Sequence, residues 1–159
     1  WGLGTAGATL VGQSLGEKDI PGASEWAWDV IKVGVVGMFL LGTPFWLFPD
    51  QLLSIWIHDA EARELAIWPT RFLGLMIAFN GMGYMLATLL NGAGDVKKVT
   101  WVNLFTQWLL LVPGAYLLGP YLGFGLIGIW CLHQFGSRAG HVIIFGYFWR
   151  KGDWAKISI

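Results

Sequence analysis

Apolar residues in this chain come in runs longer than a soluble domain uses, separated by short polar breaks. A helix that crosses the ~30 Å hydrocarbon layer needs about 20 mostly apolar residues. The runs predict four full spans, at about residues 26–48, 62–90, 99–118 and 125–149, with residues 1–15 as the end of a fifth. The breaks between them are turn-formers: Glu17-Lys18-Asp19 with Pro21-Gly22, Pro49-Asp50, Asn91-Gly92-Ala93-Gly94-Asp95, and Gly119-Pro120. Pro44 falls inside the first full span and predicts a kink there. Gly4, Ala8 and Gly12 recur at every fourth position, a small-residue face that lets another helix approach closely. The fold class that follows is all-α, a polytopic membrane helix bundle forming one transmembrane domain over residues 1–159.

Composition removes the soluble alternative. Charged residues are 13% of the chain, about half the soluble norm of roughly 25%, and mean hydropathy is +0.58. So few charges cannot cover a soluble surface. The 11 Trp and 10 Phe suit membrane interfaces, and the 23 Gly suit close helix packing. Zero net charge gives no sign of a nucleic-acid partner, and the single cysteine, Cys131, excludes an internal disulfide. Trp1 opens directly on a Gly/Ala-rich apolar stretch with no charged leader. That start reads as the cut end of a longer protein and not as a signal peptide.

Charge placement sets the orientation. With the Lys18 turn on the cytoplasmic side, alternate connections put Lys97, Lys98, Arg150, Lys151 and Lys156 there too. The opposite side holds Arg63 among Asp50, Asp59, Glu61 and Glu64. This is the positive-inside asymmetry, and it predicts a cytoplasmic C-terminus.

Polar side chains inside the spans are the candidate chemistry, because each needs a partner or an aqueous cavity at that depth. Arg138 lies near the middle of the fourth span, too deep for snorkelling alone. Gln134, Arg138 and His141 fall on one face at i, i+4 and i+7, with His133 and Ser137 alongside. The third span offers Asn103, Thr106 and Gln107, and the second offers Asn80 near its middle. Such residues line an aqueous cleft or form a structural polar cluster, and spacing alone leaves both open. Arg71 is expected to snorkel or to pair with Glu64. In the Asn91–Asp95 break, Asp95 is placed to cap the next helix while Lys97 and Lys98 face anionic lipid. No Walker loop, no Gly-X-Ser-X-Gly elbow and no two-histidine helical motif occurs. His58-Asp59-Ala60-Glu61 lacks zinc spacing, so neither an enzyme nor a metal or organic cofactor is expected.

Three segments carry a family resemblance. Gly7-Ala8-Thr9-Leu10-Val11-Gly12-Gln13-Ser14-Leu15-Gly16-Glu17-Lys18-Asp19 is similar to a helix end of the multidrug and toxic compound extrusion (MATE) transporters. Leu90-Asn91-Gly92-Ala93-Gly94-Asp95 resembles that family's Leu-Arg-Gly-Ala-Gly-Asp segment, with Asn91 where the family has Arg. Val112-Pro113 to Tyr116-Leu117, followed by Gly123 to Trp130, resembles the entry into its last helix. Gly12, Gln13, Gly16, Gly92, Gly94 and Asp95 are the structural motif positions.

The resemblance implies a partial lobe of a two-lobed transporter of about twelve spans, most of the C-terminal lobe, with the N-terminal lobe as partner. It implies secondary active efflux of amphipathic or cationic organic compounds by alternating access, coupled to H+ or Na+, in the prokaryotic inner membrane. Asn103, Gln107, Gln134, Arg138 and His141 then become cleft candidates together with Asn80, which counts to a position where some members carry an acid implicated in cation binding. Asn cannot take up a proton near neutral pH, which puts the coupling acid elsewhere. Two other readings stand beside this one. A related flippase for a lipid-linked precursor would use Arg138 on a phosphate, and a non-transporting membrane scaffold would bury Arg138 in a dry interface.

Overall fold

The computed structural model describes residues 1–156, and among these every regular element is helical. The helices are α1 (Gly2–Gly16), α2 (Ile20–Leu47), the short α3 (Pro49–Ser54), α4 (Ala60–Gly92), α5 (Val96–Tyr121) and α6 (125–151). A single tight turn, Asp153–Lys156, closes the described chain. Three of these, α2, α4 and α5, are long and apolar enough to cross a membrane. Helix α6 is comparable in length, but His133, Gln134, Arg138 and His141 make its middle polar and keep it out of that group. Much of α2 is apolar surface the rest of the chain leaves uncovered, as at Val33, Val36, Leu40 and Leu41. A bilayer or further protein is the environment such a face requires.

Caps move several ends away from where the apolar runs place them. Asp19 accepts a hydrogen bond from the Gly22 backbone N–H at 3.0 Å, and Pro21 occupies the first turn, so α2 starts at Ile20 and not near residue 26. Asp59 does the same for Ala62 at 3.0 Å and starts α4 at Ala60. Pro44 lies within α2, and Pro49 opens α3 just after α2 ends. The connection between α2 and α4 is tied down by an ion pair from Arg63 Nε to Asp50 Oδ1, 2.9 Å. At the other end of α4, Gly94 takes φ +84°, the left-handed conformation that favours glycine.

Helices α1, α2 and α4 form the packed part of the bundle, through small residues. The Gly4–Ala8–Gly12 face predicted for α1 lies against α4. A Cβ on Gly92 would stand 2.6 Å from both the Cα and the carbonyl oxygen of Ala8, and one on Gly12 would stand 3.3 Å from the Gly92 carbonyl. Helices α2 and α4 cross at Gly42 and Gly74, where a Cβ on either glycine would run into the other's carbonyl. Around these crossings Val11, Ala27, Ile31, Leu86, Leu89 and Leu90 make the core.

Helices α5 and α6 depart from regular α geometry. Turns closed i to i+5 occupy Phe105–Leu111, Leu117–Tyr121 and Leu132–Ala139. One of these bonds runs from Leu122 N–H to Leu117 O at 2.9 Å. Pro120 sits within the second wide stretch, so α5 continues past residue 118 to Tyr121.

The basic end is ordered by contacts the turn residues alone do not predict. Asp95 stands at the cap position of α5 but its carboxylate caps no backbone N–H. It is buried and pairs with Lys98 at 2.7 Å, and Lys98 also lies 5.6 Å from the centre of the Phe148 ring. Of the expected lipid-facing pair, only Lys97 is exposed. After α6, Gly152 turns left-handed at φ +72° and Trp154 folds back. Its ring stacks on Trp149 at 4.3 Å, and its indole N–H donates to the Trp149 carbonyl at 2.8 Å.

The tail carries a pH dependence of known sign. A hydrogen bond with Asp153 raises Lys151, and the same bond lowers the Asp153 carboxyl below its ordinary value. A lowered carboxyl stabilises the turn above its unfolded pKa, and that stabilisation is lost as pH falls through the lower, folded value. The lysine's share is complete below its own unfolded pKa and is lost only as pH rises through its raised value. Exchange protection of the Ala155 amide, which donates to Gly152 O at 3.1 Å, is therefore expected to hold across neutral pH. It should fall once the medium is more acidic than the ordinary aspartate pKa of about 3.9. Equal protection at neutral and strongly acidic pH would remove the pair from the account.

Candidate functional site

A cavity of about 290 Å³ opens between α4, α5 and α6, and polar groups converge on it from all three. Helix α4 contributes Asn80, Tyr84, Thr88 and Asn91; α5 contributes Asn103; α6 contributes Arg138 and His141, with Phe145 beneath. Gly83 brings the walls this close. A Cβ there would stand 3.1 Å from Val142 Cγ2 and 3.6 Å from His141 Cβ. His141 is held on two sides: its Nε2 lies 2.8 Å from Thr106 Oγ1, and its ring stacks on Phe145 with centroids 5.4 Å apart. The Thr106 hydroxyl also donates to the Val102 carbonyl.

Of the six cleft candidates, Asn80, Asn103, Arg138 and His141 line this cavity, and Gln107 and Gln134 do not. Gln107 is exposed, and Thr106 takes the inward position. Gln134 is buried but does not reach the cavity wall. On α5, Thr106 and Gln107 are neighbours about 100° apart, so with Thr106 turned inward Gln107 faces away. On α6 the turns closed i to i+5 keep positions four apart on about the same face but swing positions seven apart, which turns Gln134 away from His141 with Arg138 between them.

Tyr84, Thr88 and Asn91 are cavity residues that polarity within single spans did not single out. Their spacing of i, i+4 and i+7 on α4, continuing from Asn80, is a polar stripe visible in the sequence. The motif positions are structural in different ways. Gly12 and Gly92 form the α1–α4 crossing, Gly94 turns the chain, and Asp95 holds Lys98. Gln13 is exposed and a Cβ on Gly16 would meet nothing.

A second hollow, about 640 Å³ and almost wholly apolar, lies toward the Arg63 end between α4 and α6. Phe72 stands at its centre, 5.1 Å from Trp130 and 5.3 Å from Phe135. Arg71 pairs with no carboxylate among the described residues. It lies 5.5 Å from the Trp68 ring, a cation–π contact in place of the expected Glu64 partner, and its Nε is buried without a hydrogen bond. Trp101 and Trp108 face outward, at 72% and 65% exposure, where a bilayer would meet them.

Fold and cavity together define an all-α membrane helix bundle with a polar pocket between α4, α5 and α6, reaching from Asn80 and Arg138 to Asn91 and Val99 beside the Asn91–Asp95 turn. The chain belongs to the MatE family, whose profile matches residues 1–117. It is 30% identical over 155 residues to a probable multidrug resistance protein NorM of Pseudomonas putida, covering 94% of this chain and 34% of that protein. A NorM relative from Thermotoga maritima is 27% identical and covers the whole chain, again 34% of the relative. Protein DETOXIFICATION 29 of Arabidopsis thaliana is 30% identical over 89% of the chain. The chain therefore spans about a third of the length of these relatives. No solved structure gives a significant match.

Proposed function

We propose that this chain is most of the C-terminal lobe of a secondary active transporter that exports amphipathic or cationic organic compounds across the plasma membrane. The observation that carries the reading is the cavity. Four polar side chains predicted from three separate spans converge on it, in a chain whose relatives are named as multidrug resistance proteins. Transport proceeds by alternating access, this lobe rocking against a partner lobe around a cleft that includes the cavity. Protons or sodium ions drive the exchange, and the coupling acid lies in the part of the transporter outside this chain, since no carboxylate among the described residues lines the cavity. The C-terminal end, with Arg150, Lys151 and Lys156, is cytoplasmic. A cavity beside Arg138 supports transport over the scaffold reading, which needs a dry interface there.

Resistance is the test. Expressed from its gene in a bacterium stripped of its own efflux pumps, the full product is expected to raise the inhibitory concentration of ethidium several-fold. Collapsing the proton and sodium gradients should abolish the gain, and the 159-residue chain expressed alone should give none. Ethidium export by that chain alone, or resistance that survives loss of both gradients, would overturn the proposal.

A further inference from the structure

The cavity is unusual in its charge. Its wall holds three asparagines, a tyrosine, a threonine, a histidine and Arg138, and no carboxylate among the described residues. Arg138 makes no ion pair and no hydrogen bond among the described residues, although its backbone sits midway along α6. The nearest acid along the α5 wall is Asp95, and its carboxylate is already held by Lys98 at 2.7 Å. The remaining acids of α4, Glu61 and Glu64, belong to its opposite end. A guanidinium at this depth needs water or an anionic partner, and its planar fork matches a carboxylate or phosphate with two parallel hydrogen bonds. Asn80 and Asn103 can add amide donors around the same oxygens.

We infer that this cavity is the seat of an oxyanion, the carboxylate of an amphipathic substrate, with Arg138 as its counter-ion and Asn80 and Asn103 as neighbouring donors. The inference rests on the efflux reading and narrows its substrate class. Compounds carrying a carboxylate as well as an amine are held here by their acid end, and their cationic end faces away from this lobe. A purely cationic compound gains nothing from this wall. The chemistry of a lipid phosphate is the same, and the experiment separates the two sources.

The test is equilibrium binding to the protein expressed from its own gene, purified in neutral detergent, with dansylglycine and its methyl ester as probes. They differ in one carboxylate. The acid is expected to bind about tenfold tighter or more, the scale of a charge-assisted hydrogen bond. Arg138→Gln should erase the preference. Asn80→Asp should erase it too while keeping Arg138, because the new carboxylate takes up the guanidinium; that second variant guards against a folding defect in the first. Equal binding of acid and ester, or a preference that survives both substitutions, overturns the inference. So does Arg138-dependent binding of dihexanoyl phosphatidic acid with no preference between the dansyl pair, which would assign the site to a lipid headgroup. Binding is read apart from flux: preference without ethidium export would sink the efflux reading alone, and export without preference would sink this one alone.

Discussion

Gly92→Leu is expected to leave no folded bundle, and Gly92→Ala to destabilise it by about 1–3 kcal/mol or more, the range for overpacking a filled interior. The added Cβ of even the alanine variant would stand 2.6 Å from the Cα and carbonyl oxygen of Ala8. Both are backbone atoms, so no side chain can rotate out of the way. Helix α1 would have to separate from α4, and with it the contacts around Val11, Leu89 and Leu90. Small residues matter here because helices in lipid associate through close packing and not through a hydrophobic drive. Gly37→Ala is the matched control, since a Cβ there meets nothing within 4 Å. By removing backbone freedom in a helix it should be neutral or stabilise by about 0.5–1 kcal/mol. Thermal unfolding followed by size-exclusion chromatography in detergent separates the two. A Gly92→Ala variant as stable as Gly37→Ala would mean the crossing is not where the structure puts it.

How much of this was legible in the sequence depends on which period the chain follows. Where helices are regular, spacing was enough: the Gly4–Ala8–Gly12 face predicted a close partner, and α4 supplies it at Gly92. In α6 the wide turns shift the seven-residue spacing, so Gln134 and His141 looked to share a face and do not, and on α5 Thr106 takes the inward position instead of Gln107. Nothing in Phe105–Leu111 announces an i to i+5 closure, apart from Pro113 shortly beyond it. The cap at Asp95 failed for another reason. Its position was right, but Lys98 one turn on competes for the carboxylate, and a charged donor outbids a neutral backbone N–H. The tail's Trp154 stack had no periodic signal at all, because it forms after a left-handed glycine reverses the chain. Asn91, by contrast, looked like a departure in a turn motif and lines the cavity instead.

Whether the cavity beside Arg138 is an aqueous cleft decides between a transporter and a structural polar cluster. Transport requires water and substrate to reach it, whereas a structural polar cluster would exclude both. Thiol chemistry distinguishes these, because maleimides react with the thiolate, and apolar surroundings raise a thiol's pKa and suppress it. Asn103 lines the cavity, whereas Leu109, on the same helix, is 66% exposed on the face a bilayer would cover. Cys131, which borders the aromatic hollow, is first removed as Cys131→Ser. In that background the measurement is the labelling rate of Asn103→Cys and Leu109→Cys by a charged, membrane-impermeant maleimide, with the full protein in liposomes. With an aqueous cleft, Asn103→Cys is expected to react more than about tenfold faster than Leu109→Cys, and an exported compound is expected to slow it. An Asn103→Cys thiol as inert as the lipid-facing one, or one that reacts at the same rate with and without that compound, would contradict it.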